Sequence, residues 1–170
     1  EHKNCKNKLF AYPAQSNVSG VQHDLSLIKL AQDKGWDVLL DAAAFAPTSR
    51  LDLALARPDF VSLSFYKIFG YPTGIGCLLI KKTKFHQLQK PWFAGGTVAV
   101  ASVRFDGYFL RQDHEKFENG TLNYLNIPAI SNGLDFISNI SMANISCRIK
   151  ELCGLFLQKL QSLAHRNGLP

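Results

Sequence analysis

Long hydrophobic runs are missing from this 170-residue chain. No apolar stretch approaches the ~18 residues that a membrane-spanning helix needs. Cysteine is scarce. The four present, Cys5, Cys77, Cys147 and Cys153, contain no CxxC spacing, which argues against a zinc site, and they are too few for a disulfide scaffold. No internal repeat and no low-complexity tract occurs, so solenoid, collagen and coiled-coil classes fail. What is there is an ordinary globular composition, 46% hydrophobic with 12 Phe, which excludes disorder. A chain of this size supports one domain and buries roughly 68–70% of its unfolded surface.

Lys plus Arg number 19 against 13 acidic residues, a formal charge of +6. The excess is spread, with mild clusters at Lys3–Lys8 and Lys81–Lys90. Such a balance fits either a solvated basic surface or an anionic partner such as a phosphate, a cofactor or nucleic acid. The aromatics do not interleave with Lys and Arg in an RNP-like pattern, which speaks against nucleic acid. Four N-x-Ser/Thr sequons, at Asn17, Asn119, Asn139 and Asn144, would matter only in a secreted protein. No signal peptide is expected, and the expectation is a cytoplasmic protein, with neither membrane nor metal binding.

Leu9–Tyr12 reads as a short strand, followed by a polar turn over Gln15–Gly20. Asp24 is placed to cap a helix carrying Leu25, Ile28, Leu30 and Ala31, which Gly35 stops. Trp36–Leu40 is a continuous apolar run ending at Asp41, which predicts a buried strand and completes a βαβ unit. Beyond Pro47 come a short helix over Leu51–Ala56, a strand over Asp59–Phe65, a Gly/Pro-rich loop over Tyr66–Gly74 and a strand over Ile75–Ile80. Cys77 lies in that last apolar run and is expected to be a buried thiol. Ile127–Ile140 and Met142–Ala164 read as helices. In the second, Ile145, Ile149, Leu152, Phe156, Leu160 and Leu163 form one apolar face, with Gly168 as a stop. The first part is therefore α/β and the tail helical, with a boundary near Asn119–Pro128.

Sites in open α/β sheets collect at the carboxyl ends of the strands. Asn17, Asp41 and the run Ser64-Phe65-Tyr66-Lys67 occupy such ends. An Asp closing an apolar strand is expected to be partly buried and to hold a cationic or N–H partner. Lys67 is flanked by apolar residues, and desolvation there favours the uncharged, nucleophilic amine. A Lys and an Asp on one sheet edge suit pyridoxal phosphate, the Lys bonding the aldehyde and the Asp keeping the ring nitrogen protonated. A surface lysine after a strand is the plainer alternative on spacing alone.

Longer strings decide further. Trp36-Asp37-Val38-Leu39-Leu40-Asp41-Ala42-Ala43-Ala44 and Asp59-Phe60-Val61-Ser62-Leu63-Ser64-Phe65-Tyr66-Lys67-Ile68-Phe69-Gly70-Tyr71-Pro72-Thr73-Gly74 stand in that order. With Leu9–Gly20, Phe93-Ala94-Gly95-Gly96-Thr97 and Phe117-Glu118-Asn119-Gly120-Thr121-Leu122-Asn123, they resemble the class V aminotransferase/cysteine desulfurase family, in its molybdenum cofactor sulfurase branch. The resemblance covers about residues 8–140. It implies the α/β fold type I of pyridoxal 5'-phosphate transferases. Residues 1–125 would be the C-terminal half of the cofactor-binding large domain, with a mostly parallel sheet. Residues 126–170 would be a helical connection and the start of a smaller C-terminal α/β domain.

The resemblance also implies roles. Lys67 corresponds to the Schiff-base lysine and Asp41 to the carboxylate facing the ring nitrogen. Asn17 would lie near the cofactor's phenolic oxygen. Ser64 and Tyr66 would bind phosphate, Thr121 would reach it from a partner subunit, Gly96 and Thr97 would also bind the cofactor, and Gly95 and Gly96 would sit near the interface of a homodimer. Two positions depart from the common desulfurase pattern: Ala44 stands where Gln is frequent, and Tyr66 where His precedes the lysine. Tyr66 can donate to phosphate but shuttles protons less well than His. The family's phosphate loop and ring-stacking residue would lie upstream of this chain, and its substrate-binding Arg and sulfur-carrying Cys downstream, which makes the chain a fragment. Cys147 and Cys153, expected on the terminal helix, are not nominated as the carrier. The expected substrate is L-cysteine and the expected sulfur acceptor the molybdenum cofactor. Transamination or another lyase reaction is the second reading, and a non-catalytic basic binding module the third.

Overall fold

The computed structural model describes residues 7–71, 73–92 and 94–165. Cys5, most of the Lys3–Lys8 cluster, Pro72, Phe93 and the stop expected at Gly168 lie outside the described residues. The main sheet has four strands in the order β1 (Leu9–Pro13), β2 (Asp37–Asp41), β3 (Phe60–Ser64) and β4 (Gly76–Ile80). The first three run parallel, and β4 returns antiparallel to β3 at the edge. Helix α1 (Ser26–Asp33) makes the crossover from β1 to β2. Leu25, not Asp24 as expected, is the residue just before α1, although the Asp24 carboxylate does accept the Ser26 N–H at 2.8 Å.

The core lies between α1 and the first two strands. Ile28 and Ala31 of α1 pack with Tyr12 and Ala14, with Val38 and Leu40 of β2, and with Phe45. Leu30 points away and is exposed. Along β2, Val38 and Leu40 are fully buried and alternate with half-buried Asp37 and Leu39, so the strand is packed tightly on one face. Beneath it, buried Asp59 ties three elements at the amino ends of the strands. Its carboxylate accepts from Val38 N at 2.9 Å, Gln32 Nε2 at 2.9 Å and Lys81 Nζ at 3.0 Å. Burial by itself pushes that carboxyl up, but the three hydrogen bonds and the Lys81 charge outweigh it and hold Asp59 below the usual carboxylate range.

Several expectations need correction. Tyr66–Gly74 is not all loop: helix α3 (Phe65–Phe69) follows β3 directly and carries Lys67, and Gly70 closes it at φ +83°. Cys77 is half-buried rather than core, because β4 is an edge strand whose Leu78 and Leu79 are exposed. Even so, partial burial raises its thiol pKa. The short helix expected over Leu51–Ala56 starts later, as α2 (Leu53–Ala56), with Asp52 Oδ1 capping Ala54 N at 2.9 Å. Past α4 (Lys82–Phe85), a hairpin of β5 (Val98–Ala101) and β6 (Tyr108–Leu110) and a 3₁₀ turn (His114–Phe117) were not anticipated. The tail helices form as α5 (Ala129–Ile140) and α6 (Met142–Gln161). On α6, Ile149, Leu152, Phe156 and Leu160 remain exposed. Helix α5 packs on α3.

Candidate functional site

The parallel strands bring the ends of β1, β2 and β3 to one edge, and the connections there carry the polar groups. After β1 the chain turns sharply. The Ser16 hydroxyl accepts the Val18 and Ser19 N–H groups, and Gln15 bridges to Gln22, which holds Asn17 out at the sheet edge. On the far side, β3 runs straight into α3. Lys67, half-buried on that helix, donates from Nζ to Asn17 Oδ1 at 3.0 Å. Fifty residues of sequence separate the two, so this contact is made by the fold rather than by a local turn.

Helix α3 is short and needs outside support. Phe65 N–H donates to Ile75 O at 3.1 Å, and the Phe65 and Phe69 rings stack with centroids 6.1 Å apart. Tyr71 Oη donates to Asn126 Oδ1 at 2.9 Å, which joins the segment after α3 to the residues before α5. Phe69 packs onto Gly133 of α5, where an added Cβ would lie only 2.5 Å from the ring.

Asp41 ends β2 beside this helix's strand. It is exposed, not partly buried as expected, since nothing described covers the sheet edge there. It does hold the expected N–H partner: Oδ1 accepts from Ala43 N at 3.0 Å and also from Ser62 Oγ at 3.2 Å. Its other oxygen, Oδ2, accepts nothing from the described residues. Ser64 is the extended residue before α3 and its hydroxyl makes no capping bond, which leaves it available. Tyr66, the next residue but one, is exposed.

Gly96, Thr97 and Thr121 belong to a second cluster made of two turns. Gly120 N–H donates to Gly95 O at 3.0 Å, and Gly96, at φ +80°, passes so close that an added Cβ would lie 3.4 Å from Gly120 O. Buried Lys90 donates to the Asn119 side chain. Thr121 stands exposed beside this junction. Thr97 is fully buried and its hydroxyl donates to Ala94 O at 2.6 Å, which braces the turn. No hydrogen bond between described residues links this cluster to the one around Lys67. Sequence reasoning missed Ser62 altogether. Its only signal was a hydroxyl inside an apolar strand; the register that pairs it directly with Asp41 is set by the fold.

A lysine amine, a carboxylate with one oxygen to spare and an unengaged hydroxyl on one sheet edge are groups able to bond an aldehyde, accept from a protonated ring nitrogen and donate to a phosphate. The aminotransferase class-V family model matches residues 1–169, and the chain belongs to that family. Within it, the chain is 42% identical over 173 residues to the molybdenum cofactor sulfurase of Caenorhabditis elegans, covering 100% of this chain and 24% of that protein. It is 40% identical over 174 residues to the human molybdenum cofactor sulfurase, covering 95% and 20%. The chain thus spans a quarter or less of the curated relatives it matches.

Among solved structures, the apo cysteine desulfurase of Thermococcus onnurineus NA1 superposes with a TM-score of 0.82 at 32% identity, over 91% of this chain and 38% of that one. A cysteine desulfurase of Escherichia coli gives 0.82 at 27% identity, over 92% and 39%. The expected architecture holds: a partial fold type I domain with a mostly parallel sheet.

Proposed function

We propose that this chain is the middle portion of a pyridoxal 5'-phosphate enzyme that takes sulfur from L-cysteine and passes it, through a persulfide, to the molybdenum cofactor. The observation that carries the reading is the Lys67–Asn17 contact at the carboxyl edge that also bears Asp41. The identity to molybdenum cofactor sulfurases over nearly the whole chain supports the choice of reaction. We further propose that residues 1–125 belong to the large domain and 126–170 open the small one.

When bound, the cofactor supplies an electron sink for the substrate's α carbon. Lys67 would hold it covalently through Nζ and, once freed, would move the α proton as acid and base. Asp41 would keep the ring nitrogen protonated through Oδ2, the oxygen with no other partner among the described residues. Asn17 is suited to the phenolic side, since it already shares its Oδ1 with Lys67 Nζ. Ser64 and Tyr66 would donate to the phosphate, and Thr121 would do so from the second subunit of a homodimer, with Gly96 bringing the two turns close. A cysteine outside this chain would attack the substrate sulfur. Its thiolate forms the S–S bond, the substrate's C–S bond breaks, and the electron pair stays on the carbon that is protonated to alanine.

The test is product analysis with the complete polypeptide. Incubated with L-cysteine, it should release alanine in equal amount to the sulfur transferred, and Lys67→Ala should stop both. Formation of a keto acid with amino transfer to an acceptor would replace desulfuration by transamination.

A further inference from the structure

We propose that Ser62 is a positioning residue for Asp41, selecting which carboxylate oxygen is presented to the ring of a bound cofactor. The inference rests on the reading of Lys67 and Asp41 given above. Asp41 and Ser62 are register partners on the parallel strands β2 and β3. The Ala42 N–H donates to Ser62 O at 3.0 Å, and the Ala14 N–H to Asp41 O at 2.8 Å, so both backbones are pinned where the side chains project. The Ser62 hydroxyl then donates to Asp41 Oδ1 at 3.2 Å, and the Ala43 N–H donates to the same oxygen at 3.0 Å.

Two donors on one oxygen fix the carboxylate's rotation and leave Oδ2 as the open acceptor. An exposed Asp at a strand end would otherwise sample several rotamers, because nothing described packs around it. Ala43 alone cannot do this. Its N–H reaches the carboxylate from two residues along the same chain, a local turn contact that tolerates rotation of the group. Ser62 reaches it from the neighbouring strand and supplies the second direction. Orientation of a reacting partner is worth large factors in rate, so a side chain that never touches the substrate can still set turnover.

The experiment uses the complete polypeptide loaded with pyridoxal phosphate, as Ser62→Ala, Ser62→Thr and Asp41→Asn, and the Asp41→Asn/Ser62→Ala double variant. Ser62→Ala should lower kcat about fivefold with KM for L-cysteine unchanged, the loss of one charge-assisted hydrogen bond at a half-exposed site. It should also reduce the induced circular dichroism of the bound cofactor, which reports ring orientation without turnover. Ser62→Thr keeps the hydroxyl and should restore both. In the Asp41→Asn background, Ser62→Ala should add nothing. If Ser62→Ala leaves kcat and the dichroism as in the parent, or Ser62→Thr fails to restore them, or the two substitutions add independently, the inference is wrong. If instead no cofactor attaches to Lys67 in the parent protein, the underlying reading fails, and that outcome is distinct from the others.

Discussion

Replacing Asp59 by Ala should destabilise the chain by about 3 kcal/mol, and the structure says where the loss arises. The residue is 4% exposed and accepts three hydrogen bonds. Gln32 keeps a second acceptor in Arg57 O at 3.0 Å, so its loss is partial. Lys81 also retains Arg57 O, and its side chain is 39% exposed, so water can take up part of its charge. The Val38 N–H has neither escape, because Val38 is fully buried. An orphaned buried N–H costs about 1–3 kcal/mol, and the lost charge-assisted bonds add to it. Asp59→Asn keeps an acceptor for Val38 and Gln32, which share Oδ2, but turns an amide donor toward Lys81, and should cost about half as much. Urea denaturation followed by far-UV circular dichroism measures the series. An Asp59→Ala midpoint within about 0.5 kcal/mol of the parent would refute the anchor role, since that is the scatter of an ordinary surface change.

The same carboxylate gives a pH dependence with a definite sign. Its folded pKa lies below the unfolded value of about 3.9, so the folded state binds the proton less readily. Its stabilisation is complete above that unfolded value and is lost as pH falls through the folded one. The parent should therefore weaken on acidification below about pH 4, and Asp59→Asn should lack that part of the slope.

Three further outcomes follow from close contacts and from the proposed assembly. Gly133→Ala puts a Cβ 2.5 Å from the Phe69 ring, so α3 or α5 must shift at about 1–3 kcal/mol, and the complete polypeptide should hold its cofactor less tightly by spectroscopic titration. Gly76→Ala aims a Cβ at Leu63 O, 2.5 Å away, and because that atom is backbone no rotamer relieves it. The β3–β4 pairing should loosen by at least about 2 kcal/mol, read as a lower urea midpoint; an unchanged midpoint would show the contact to be soft. For the homodimer, mixing Lys67→Ala and Thr121→Ala subunits should restore part of the activity that neither variant has alone. A mixture that stays inactive after proven subunit exchange would place Thr121 in its own subunit's site.

How much of this was legible in the sequence depends on the kind of signal. The β1–α1–β2 unit was readable because the apolar run before Asp41 and the spacing of Ile28 and Ala31 are set by one local burial face. Helix α3 was not, because five residues rich in aromatics between a strand and a glycine carry little helical preference, and its support comes from Ile75 across the next loop and from Gly133, far along the chain, with Asn126 tying down Tyr71 just beyond it. The β5–β6 hairpin does leave a mark in the sequence, Asp106-Gly107, a turn pair between short apolar stretches. Cys77 looked buried because an apolar run does not say whether its strand is central or at an edge. Lys67 and Asp41 were visible as chemistry but became a site only through the family resemblance. Ser62 and Asp59 were invisible for a shared reason: each matters through a partner that only strand register supplies.

The central claim is that Lys67 carries the cofactor, and covalent trapping tests it most directly. The complete polypeptide, loaded with pyridoxal phosphate and reduced with borohydride, is digested and its peptides are mapped by mass spectrometry. The pyridoxyl group should lie on Lys67, the lysine whose Nζ the fold holds 3.0 Å from Asn17 at the sheet edge. Recovery of the label on Lys81 or Lys82, at the opposite end of the sheet, or no stable label at all, would contradict it.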